Sequence, residues 1–231
     1  MIKLITANCG TKYLGYSNDH LFKEIEGGNT FIDSAIKKVI DDVVTPDSVC
    51  IDAGSNLGYI TMYLAKRCKK VFAFEPQKVV YLQLCGNLFL NECFNVTPYN
   101  LGVYHESKNF TFSKFQDGWV GKTDFKNYNE ITSIGSISIE PNPEGEMKCV
   151  RLDEQINERV DFIKFDCEGG DIDGILGAEK LIERFHPKIV FEYHTETANE
   201  VYHRPFSDIY DIARRHKYKL IQIDVANYLL S

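Results

Sequence analysis

The sequence lacks the features that mark several protein classes. No run approaches the ~20 consecutive apolar residues of a membrane-spanning helix, and the residues after the first five are too polar for a signal peptide. The seven cysteines form no Cys-x-x-Cys pair, and their odd number and apolar surroundings favour reduced thiols over a disulfide or zinc framework. We therefore expect a cytoplasmic protein with no membrane span and no metal site.

Positive charge is also scarce. The chain has 26 Lys and Arg against 33 Asp and Glu, a formal net charge of −7, and it has no dense basic patch. A nucleic-acid partner would require a basic face for its phosphates. We therefore expect a small-molecule or glycan partner and no nucleic acid.

Apolar residues are plentiful and periodically arranged. They make up 44% of the 231 residues, which is enough for a large core. Short apolar runs alternate with segments of 3.6-residue periodicity, and this alternation predicts an α/β fold with a parallel sheet and helices on both faces. The predicted strands are 49–51, 71–74, 96–99, 162–165, 189–191 and a final one at 219–223, and the predicted helices are 31–44, 59–67, 78–91, 172–185 and 206–216.

The alternation is interrupted once. We interpret residues 1–231 as one domain, in which 1–45 form an N-terminal extension and 104–148 form a hairpin and a loop inserted on the substrate side. Trp119 lies in the inserted segment between glycines and is a candidate for stacking on a sugar ring. The alternating phenylalanines nearby fit a buried strand face equally well.

A glycine loop follows the first predicted strand, in the motif DAGSNLG at 52–58. Gly54 and Gly58 would let the backbone approach a ligand at the carboxyl end of the strand. A dinucleotide site favours Gly-x-Gly-x-x-Gly, but the middle glycine is absent and Asp52 would repel a pyrophosphate. The Asp52 carboxylate suits the ammonium and sulfonium of S-adenosylmethionine, although Asp52 alone could also be a loop cap.

Glu75 ends the second predicted strand, 21 residues after Gly54. A carboxylate in this position can accept hydrogen bonds from both ribose hydroxyls, and Pro76 stiffens the turn behind it. A solvated strand end is the alternative interpretation of Glu75 in isolation. Because Asp52 and Glu75 occur at the expected spacing in consecutive strand–helix units, we predict that the chain binds S-adenosylmethionine.

Further polar side chains follow two later strands. Asp166 and Glu168 come directly after the strand at 162–165, and Glu192 and His194 follow the strand at 189–191. The carboxyl ends of parallel strands meet at one edge of a sheet. We therefore expect these side chains to face the same crevice as the glycine loop.

Together, these motifs resemble the FkbM-type S-adenosylmethionine-dependent methyltransferases. The resemblance implies a Rossmann-like class I methyltransferase fold, with a mostly parallel sheet of seven strands and helices on both faces. Ser55, His105 and the pair Gly170 and Asp171 depart from the family's usual residues. The matching segments, in the family's order, are DAGSNLG (52–58), AFEP (73–76), KFDCEG (164–169), ILGA (175–178) and His-Pro to Glu (186–192).

The resemblance also implies a role for each cofactor-binding residue. The glycine loop would line the methionine moiety, and Glu75 would hold the ribose. Gln77 and the backbone around Leu101 would flank adenine, and Asp166 would lie near the methyl group. The implied cofactor-binding residues are Asp52, Gly54, Ser55, Asn56, Gly58, Glu75, Pro76, Gln77, Leu101 and Asp166.

Members of this family mostly methylate hydroxyl oxygens, which implies an O-methyltransferase that acts on a sugar in a glycan or a nucleotide sugar. His194 is the candidate general base because an unperturbed imidazole has a suitable pKa, and Glu192 would orient it. Asp166 or Glu168 is the alternative base, and Glu168, Trp119 and His194 are predicted to contact the substrate. These carboxylates and His194 could instead hold Mg²⁺ or Mn²⁺, but we prefer hydrogen bonds from the cofactor and substrate.

Three other functions stay open at this point. N-methylation of a small molecule or macromolecule is disfavoured by the net charge and by the absence of an Asn/Asp-Pro-Pro-Tyr motif. An NAD-dependent oxidoreductase is disfavoured by Asp52 and the missing glycine. A docking module without catalytic activity is disfavoured by the completeness of the cofactor motifs, and the sequence leaves the acceptor and the oligomeric state undetermined.

Overall fold

Residues 1–28, 34–113, 135 and 137–231 are described by the structure, a computed structural model of the chain. The described elements, in chain order, are β1 (Ile2–Thr6), β2 (Lys12–Tyr16), α1 (His20–Glu26), α2 (Ser34–Val43), β3 (Val49–Ala53), α3 (Tyr59–Ala65), β4 (Lys70–Phe74), α4 (Lys78–Leu90), β5 (Val96–Tyr99), β6 (Gly102–Val103), β7 (Lys108–Phe112), β8 (Ile139–Pro141), β9 (Met147–Val150), α5 (Leu152–Gln155), β10 (Phe162–Phe165), α6 (Asp171–Leu176), α7 (Glu179–Phe185), β11 (Lys188–Glu192), α8 (Thr195–Glu200), α9 (Ser207–His216), β12 (Leu220–Gln222) and β13 (Asn227–Leu230).

Seven strands form the central sheet, in the order β12-β13-β11-β10-β3-β4-β5. The strands from β11 to β5 pair in parallel with their neighbours. Only β13 runs against the other six, since it pairs antiparallel with both β11 and β12. The predicted sheet of seven mostly parallel strands is therefore confirmed.

Alternate side chains of the central strands enter cores on opposite faces of this sheet. Ile51 packs with Ile172 of α6 on one face, and Cys50 packs with Ile40 of α2 and Leu64 of α3 on the other. Every residue of β3 and β10 is buried, as expected for strands that are covered on both sides. The predicted helices on both faces are also confirmed.

The predicted helix 172–185 was wrong in one respect, because the chain forms two helices there, α6 and α7. They are separated at Gly177, which packs directly against the backbone of Tyr104; a Cβ added at Gly177 would overlap the Tyr104 carbonyl oxygen. The apolar periodicity continues through both helices, so the sequence pattern gave no sign of the break.

The predicted strand 219–223 was wrong as the last strand of the chain. It corresponds to β12, and β13 follows it and inserts between β11 and β12. Asp224 reverses the chain between them, since its carboxylate accepts hydrogen bonds from the backbone N–H groups of Ala226 and Asn227. A strand of four residues that begins with Asn has no clear sequence signal.

The described residues form two smaller sheets besides the central one. β1 and β2 form an antiparallel hairpin whose Tyr13 packs with Tyr59 and Met62 of α3. β6, β9, β7 and β8 form a four-stranded sheet, in that order. The limits 1–45 and 104–148 stay predictions, and residues 29–33, where the helix 31–44 was predicted to begin, lie outside the described residues.

The helices that the sequence analysis missed are short. α1, α5 and α8 have 7, 4 and 6 residues, too few for a periodic pattern to stand out. None of the helices in the described ranges is long and apolar enough to cross a membrane.

Candidate active site

Two adjoining cavities lie at the carboxyl ends of β3, β4, β10 and β11. The larger, which we call the carboxylate cleft, has a volume of about 260 Å³, and the smaller has about 50 Å³. Both are bounded by Gly54, Gly135, Asp166 and Glu168. The carboxylate cleft is also lined by Asp52, Ser55, Asn56, Tyr59 and Glu192, and the smaller cavity by Pro76, Gln77, Gly102 and Tyr202.

The glycine loop after β3 is held between two neighbouring strands. The N–H groups of Gly54 and Ser55 both donate to the Phe74 carbonyl oxygen at 2.9 Å. Gly54 has a φ of +84°, and a Cβ at this position would overlap the carbonyl oxygen of Asp166. The loop thus requires glycine at Gly54 because it crosses the end of β10, a protein contact that the sequence pattern did not indicate.

Asp52 is buried at the end of β3, with 1% of its surface exposed. Its Oδ2 accepts a hydrogen bond of 2.5 Å from the Thr61 hydroxyl. Its Oδ1 accepts none from the described residues. Burial raises the pKa of Asp52 to about 6, against the lowering effects of the Thr61 hydrogen bond and the Lys164 charge. Asp52 therefore presents a buried carboxylate oxygen that lacks a hydrogen-bond donor.

Glu75 ties the glycine loop to the end of β4. Its Oε2 accepts from the Asn56 N–H at 3.1 Å, and its Oε1 accepts from the Gln77 N–H at 2.8 Å. Burial raises the pKa of Glu75 to about 7, although both N–H groups lower it. Asn100 fixes the next turn, since its amide donates to the carbonyl oxygens of Glu75 and Pro76. The sequence analysis assigned no role to Asn100.

Lys164 is the main residue of the site that the sequence analysis missed. It lies in the middle of β10 and is fully buried. Its Nζ donates to the Phe165 carbonyl oxygen at 2.5 Å and lies 3.3 Å from Oδ2 of Asp166. Burial opposes its charge, but the carboxylates around it raise its pKa. A lysine inside an otherwise apolar strand was the available signal, because a buried ammonium requires charged or polar partners.

Asp171 joins the loop after β10 to the end of β11. One carboxylate oxygen accepts from the Cys167 N–H at 3.2 Å, and the other accepts from the Glu192 N–H at 3.1 Å. Burial raises the pKa of Asp171 to about 6. The sequence analysis treated Asp171 only as a departure from the family pattern, whereas the structure shows that it positions two segments of the site.

Glu192 and His194 form an ion pair at the rim. Glu192 Oε1 lies 3.1 Å from His194 Nε2, and the His194 side chain is 40% exposed. The hydrogen bond with Glu192 raises the pKa of His194 to about 9, against the opposing effect of burial. Burial alone would raise the pKa of Glu192, but His194 and Lys164 lower it to about 2. This contact favours the imidazolium form of His194 near neutral pH, and the role of His194 as general base stays a prediction.

The pKa of Asp166 lies closer to neutral pH than that of His194. Burial and the neighbouring charges of Glu192 and Asp171 raise its pKa to about 7, although Lys164 lowers it. Glu168 lies beside Asp166 with a φ of +49°, and burial raises its pKa well above the usual value. Asp166 is thus a cleft carboxylate whose pKa lies near neutral pH.

The site as a whole carries an excess of negative charge. Five acidic side chains surround one lysine and one imidazolium, and burial raises the pKa of four of the five acids. Because charge in a poorly solvated site is unfavourable without a partner, this arrangement is suited to a cationic ligand. The acids are Asp52, Asp166, Glu168, Asp171 and Glu192.

The structure brings most of the predicted site residues together, but not all of them. Glu75 is hydrogen-bonded to the glycine loop without lining either cavity, and Gly58 begins α3 with a φ of +93°. Leu101 packs against the core of the sheet. His194 contacts Glu192 outside the lining of both cavities. Trp119 lies outside the described residues.

No group of three or more His, Cys, Asp or Glu among the described residues is arranged to hold a metal ion. Three of the four candidate ligands of Mg²⁺ or Mn²⁺ are instead engaged with one another or with Lys164. Glu192 pairs with His194, and Asp166 pairs with Lys164.

Comparison with known families agrees with this geometry. The family sequence profile described as "Methyltransferase FkbM domain" matches residues 52–220. The chain belongs to the FkbM methyltransferase family. The resemblance seen in the sequence motifs is therefore confirmed, and the match includes the glycine loop and both carboxylate strand ends and stops at the first residue of β12.

Similar proteins include several methyltransferases. Methyltransferase 1 of Beauveria bassiana is 23% identical over 160 residues, which are 62% of this chain and 64% of that protein. Ribosomal RNA small subunit methyltransferase A of Geobacillus kaustophilus is 35% identical over 88 residues, 37% of this chain and 27% of that protein. The AMB antimetabolite synthetase AmbE of Pseudomonas aeruginosa is 23% identical over 210 residues, 77% of this chain and 10% of that protein. The chain thus spans less than two thirds of each relative.

Solved structures share the fold. The Streptococcus mutans protein SMU.1697c, in complex with SAH, aligns with a TM-score of 0.52 and 14% identity over 87% of this chain and 97% of that one. An rRNA methylase from Streptococcus thermophilus aligns with a TM-score of 0.52 and 16% identity over 87% and 96%. The FkbM family chain described here therefore has the class I methyltransferase fold.

Proposed function

We propose that this protein transfers a methyl group from S-adenosylmethionine to a hydroxyl oxygen of a sugar, in a glycan or a nucleotide sugar. The observation that carries the proposal is the carboxylate excess of the cleft, in which Oδ1 of the buried Asp52 accepts no hydrogen bond from the described residues. A ligand with an ammonium and a sulfonium supplies the positive charge that this site lacks. The pyrophosphate of NAD would add negative charge to it.

The residues present fit this cofactor. Oδ1 of Asp52 would accept a hydrogen bond from the ammonium. Each oxygen of Glu75 has a second lone pair beyond the one that takes a backbone N–H, and these lone pairs would accept from the ribose hydroxyls. The smaller cavity, between Gln77 and Gly102, would take the adenine. The SAH-bound S. mutans structure, which has the same fold, supports this assignment.

The chain's own part in the reaction is to orient the acceptor hydroxyl and to remove its proton. Bound S-adenosylmethionine supplies a methyl group on a positively charged sulfur. The carboxylate of Asp166 would accept the proton of the acceptor hydroxyl as that oxygen takes the methyl group. A pKa of about 7 suits Asp166 to this role. His194, as an imidazolium held by Glu192, would donate a hydrogen bond to the substrate.

The cofactor assignment is tested by calorimetry with S-adenosylhomocysteine and NAD. We expect micromolar binding of S-adenosylhomocysteine that weakens about 10- to 100-fold in Asp52→Ala and Glu75→Ala, because a hydrogen bond to a charged group contributes ~1.5–3 kcal/mol. Asp211→Ala is the matched control, since Asp211 is exposed on α9 and pairs with Arg214. Binding of NAD without S-adenosylhomocysteine would contradict the assignment.

The acceptor assignment needs a separate measurement. Transfer of a radiolabelled methyl group to a panel of free sugars, sugar phosphates and glycans should label at least one member, in a base-stable ether linkage. Label that enters only amine acceptors, or only RNA, would reject the sugar hydroxyl while leaving the cofactor assignment intact.

A further inference from the structure

A third cavity, of about 290 Å³, lies outside the carboxylate cleft. It is enclosed by the β1–β2 hairpin and by helices α1, α2 and α3, and we call it the basic cavity. Its floor is apolar, with Tyr13, Ile25 and Met62 all buried. The rings of Tyr13 and Tyr59 lie 5.2 Å apart between their centroids. The floor is thus suited to the apolar face of a ring.

The rim of the basic cavity is positively charged. Lys37, Lys66 and Arg67 line it, and no Asp or Glu occurs among its described lining residues, although the chain as a whole has a charge of −7. Arg67 is bonded to Asp41 at 2.8 Å and stacks on the ring of Tyr63.

The two lysines have no comparable partner. The Lys66 amine donates to the Thr11 hydroxyl at 3.1 Å, and the Lys37 amine lies 5.8 Å from the centroid of the Tyr63 ring. Neither lysine has a carboxylate within 4.0 Å in the part of the chain that the structure describes. Lys37 helps to lower the pKa of the Asp41 carboxyl but forms no ion pair with it, so the charge of both lysines is available to an anionic ligand.

The basic cavity adjoins the carboxylate cleft. Tyr59 lines both, and α1 borders both, with Leu21 facing the cleft and Ile25 facing the basic cavity. Tyr59 begins α3 and Lys66 caps its C-terminus seven residues later, which places the two ~10 Å apart along the helix axis at ~1.5 Å per residue. A ligand held at Lys66 would therefore need a length of ~10 Å to reach the cleft beside Tyr59.

We propose that the basic cavity binds the phosphate end of the methyl acceptor, a phosphorylated sugar that lies along α3 with its reacting hydroxyl toward the carboxylate cleft. The inference rests on the proposed function for the identity of the acceptor. It explains how a chain with a strongly acidic site accommodates an anionic substrate: the positive charge needed for the phosphate lies on a separate rim, about one ligand length from the carboxylates.

Cys9 provides a reporter inside the basic cavity. It lines the cavity and is exposed, and its hydrogen bond with Thr11 lowers the pKa of its thiol, which favours alkylation. Alkylation of Cys9 by iodoacetamide is followed by peptide mass spectrometry, with Cys85 on α4 as the internal control. Glucose 1-phosphate at about 20 mM should slow alkylation of Cys9 about five-fold by occupancy, without affecting Cys85.

Two double variants with the same change in charge locate the effect. Lys37→Ala with Lys66→Ala removes the charges of the rim, whereas Lys38→Ala with Lys69→Ala removes two exposed lysines from outside the cavity. Each alkylation rate is compared with that of the same protein without a probe. Protection by glucose 1-phosphate should be lost in the first variant and kept in the second.

The outcomes separate this inference from the proposed function. The inference is overturned if glucose 1-phosphate gives no protection, if uncharged glucose protects equally well, or if both double variants lose protection alike. Calorimetry with S-adenosylhomocysteine on the same proteins tests the cofactor assignment by itself. If both double variants bind S-adenosylhomocysteine as the unmodified protein does while Cys9 is not protected, only the assignment of the basic cavity fails.

Discussion

Replacing Asp52 with Asn should change the stability of the ligand-free protein in a pH-dependent way. The pKa of Asp52 is about 6 in the folded protein, against 3.8 for an unperturbed Asp. The folded state therefore binds the proton more tightly than the unfolded chain does. Ionisation of Asp52 opposes folding as the pH rises from about 4 to about 6, and the full cost is present above that range.

The pKa difference sets the magnitude. It corresponds to about 3 kcal/mol, at ~1.4 kcal/mol for each tenfold change in proton affinity. An Asn side chain keeps an acceptor for the Thr61 hydroxyl, but its amide hydrogens would lack hydrogen-bond acceptors at this buried position. The unsatisfied hydrogens would lower the free energy of unfolding by ~1–3 kcal/mol at every pH. The stability of Asp52→Asn relative to the unmodified protein should therefore rise by about 3 kcal/mol between pH 4 and pH 7.5, whatever the constant offset.

Urea unfolding at several pH values between 4 and 7.5 measures this change. Asp42→Asn is the control, because Asp42 is exposed on α2 and pairs with Lys38, and such surface substitutions stay within ~0.5 kcal/mol. If the stability difference for Asp52→Asn is constant with pH within ~1 kcal/mol, then Asp52 is not a buried carboxylate in the ligand-free protein, and the argument for a cationic ligand fails.

Two further predictions concern catalysis and packing. The kcat/KM of methyl transfer should rise with pH and level off above about 7, the pKa of Asp166. The Asp166→Asn substitution should lower kcat/KM ~10²- to 10⁴-fold and remove this pH dependence. A pH profile centred near 9 would point to His194 instead. The Gly54→Ala substitution should lower the free energy of unfolding by ~3 kcal/mol or more, because the added Cβ would overlap the Asp166 backbone. The control Gly10→Ala has a similar φ but nothing within 4 Å of the added Cβ, and it should cost ~1 kcal/mol. Equal losses of stability in urea unfolding would show that the overlap at Gly54 is relieved.

The fold could be predicted from the sequence because its central strands are apolar on both faces. Runs such as 162–165 and 189–191 have strand length and are separated by helical segments, and this pattern specifies a parallel sheet without further information. β13 could not be predicted in the same way. It lies between two other strands only because the Asp224 turn reverses the chain there, and a turn does not tell which strand its partner will be.

The position of the site was predictable, but its chemistry was only partly so. Asp52, Asp166 and Glu192 come together because parallel strands end at one edge. The protonation of His194 depends on its 3.1 Å contact with Glu192, and a reference pKa near 6.5 contains no such information. The role of Asp171 was missed for the same reason, since it depends on the N–H of Glu192 on another strand. The role of Lys164 was missed although a lysine within an apolar strand was a signal for it.

The buried charges connect stability with function. Lys164 offsets only part of the negative charge around it, so the ligand-free protein is less stable than a neutral site of the same shape would be. A cationic ligand removes that cost when it binds. The free energy by which the unpaired carboxylates destabilise the ligand-free protein therefore contributes to ligand binding. The stability of Asp52→Asn relative to the unmodified protein therefore rises with pH because the variant gives up the charge that attracts the ligand. For the same reason its binding of the ligand should weaken.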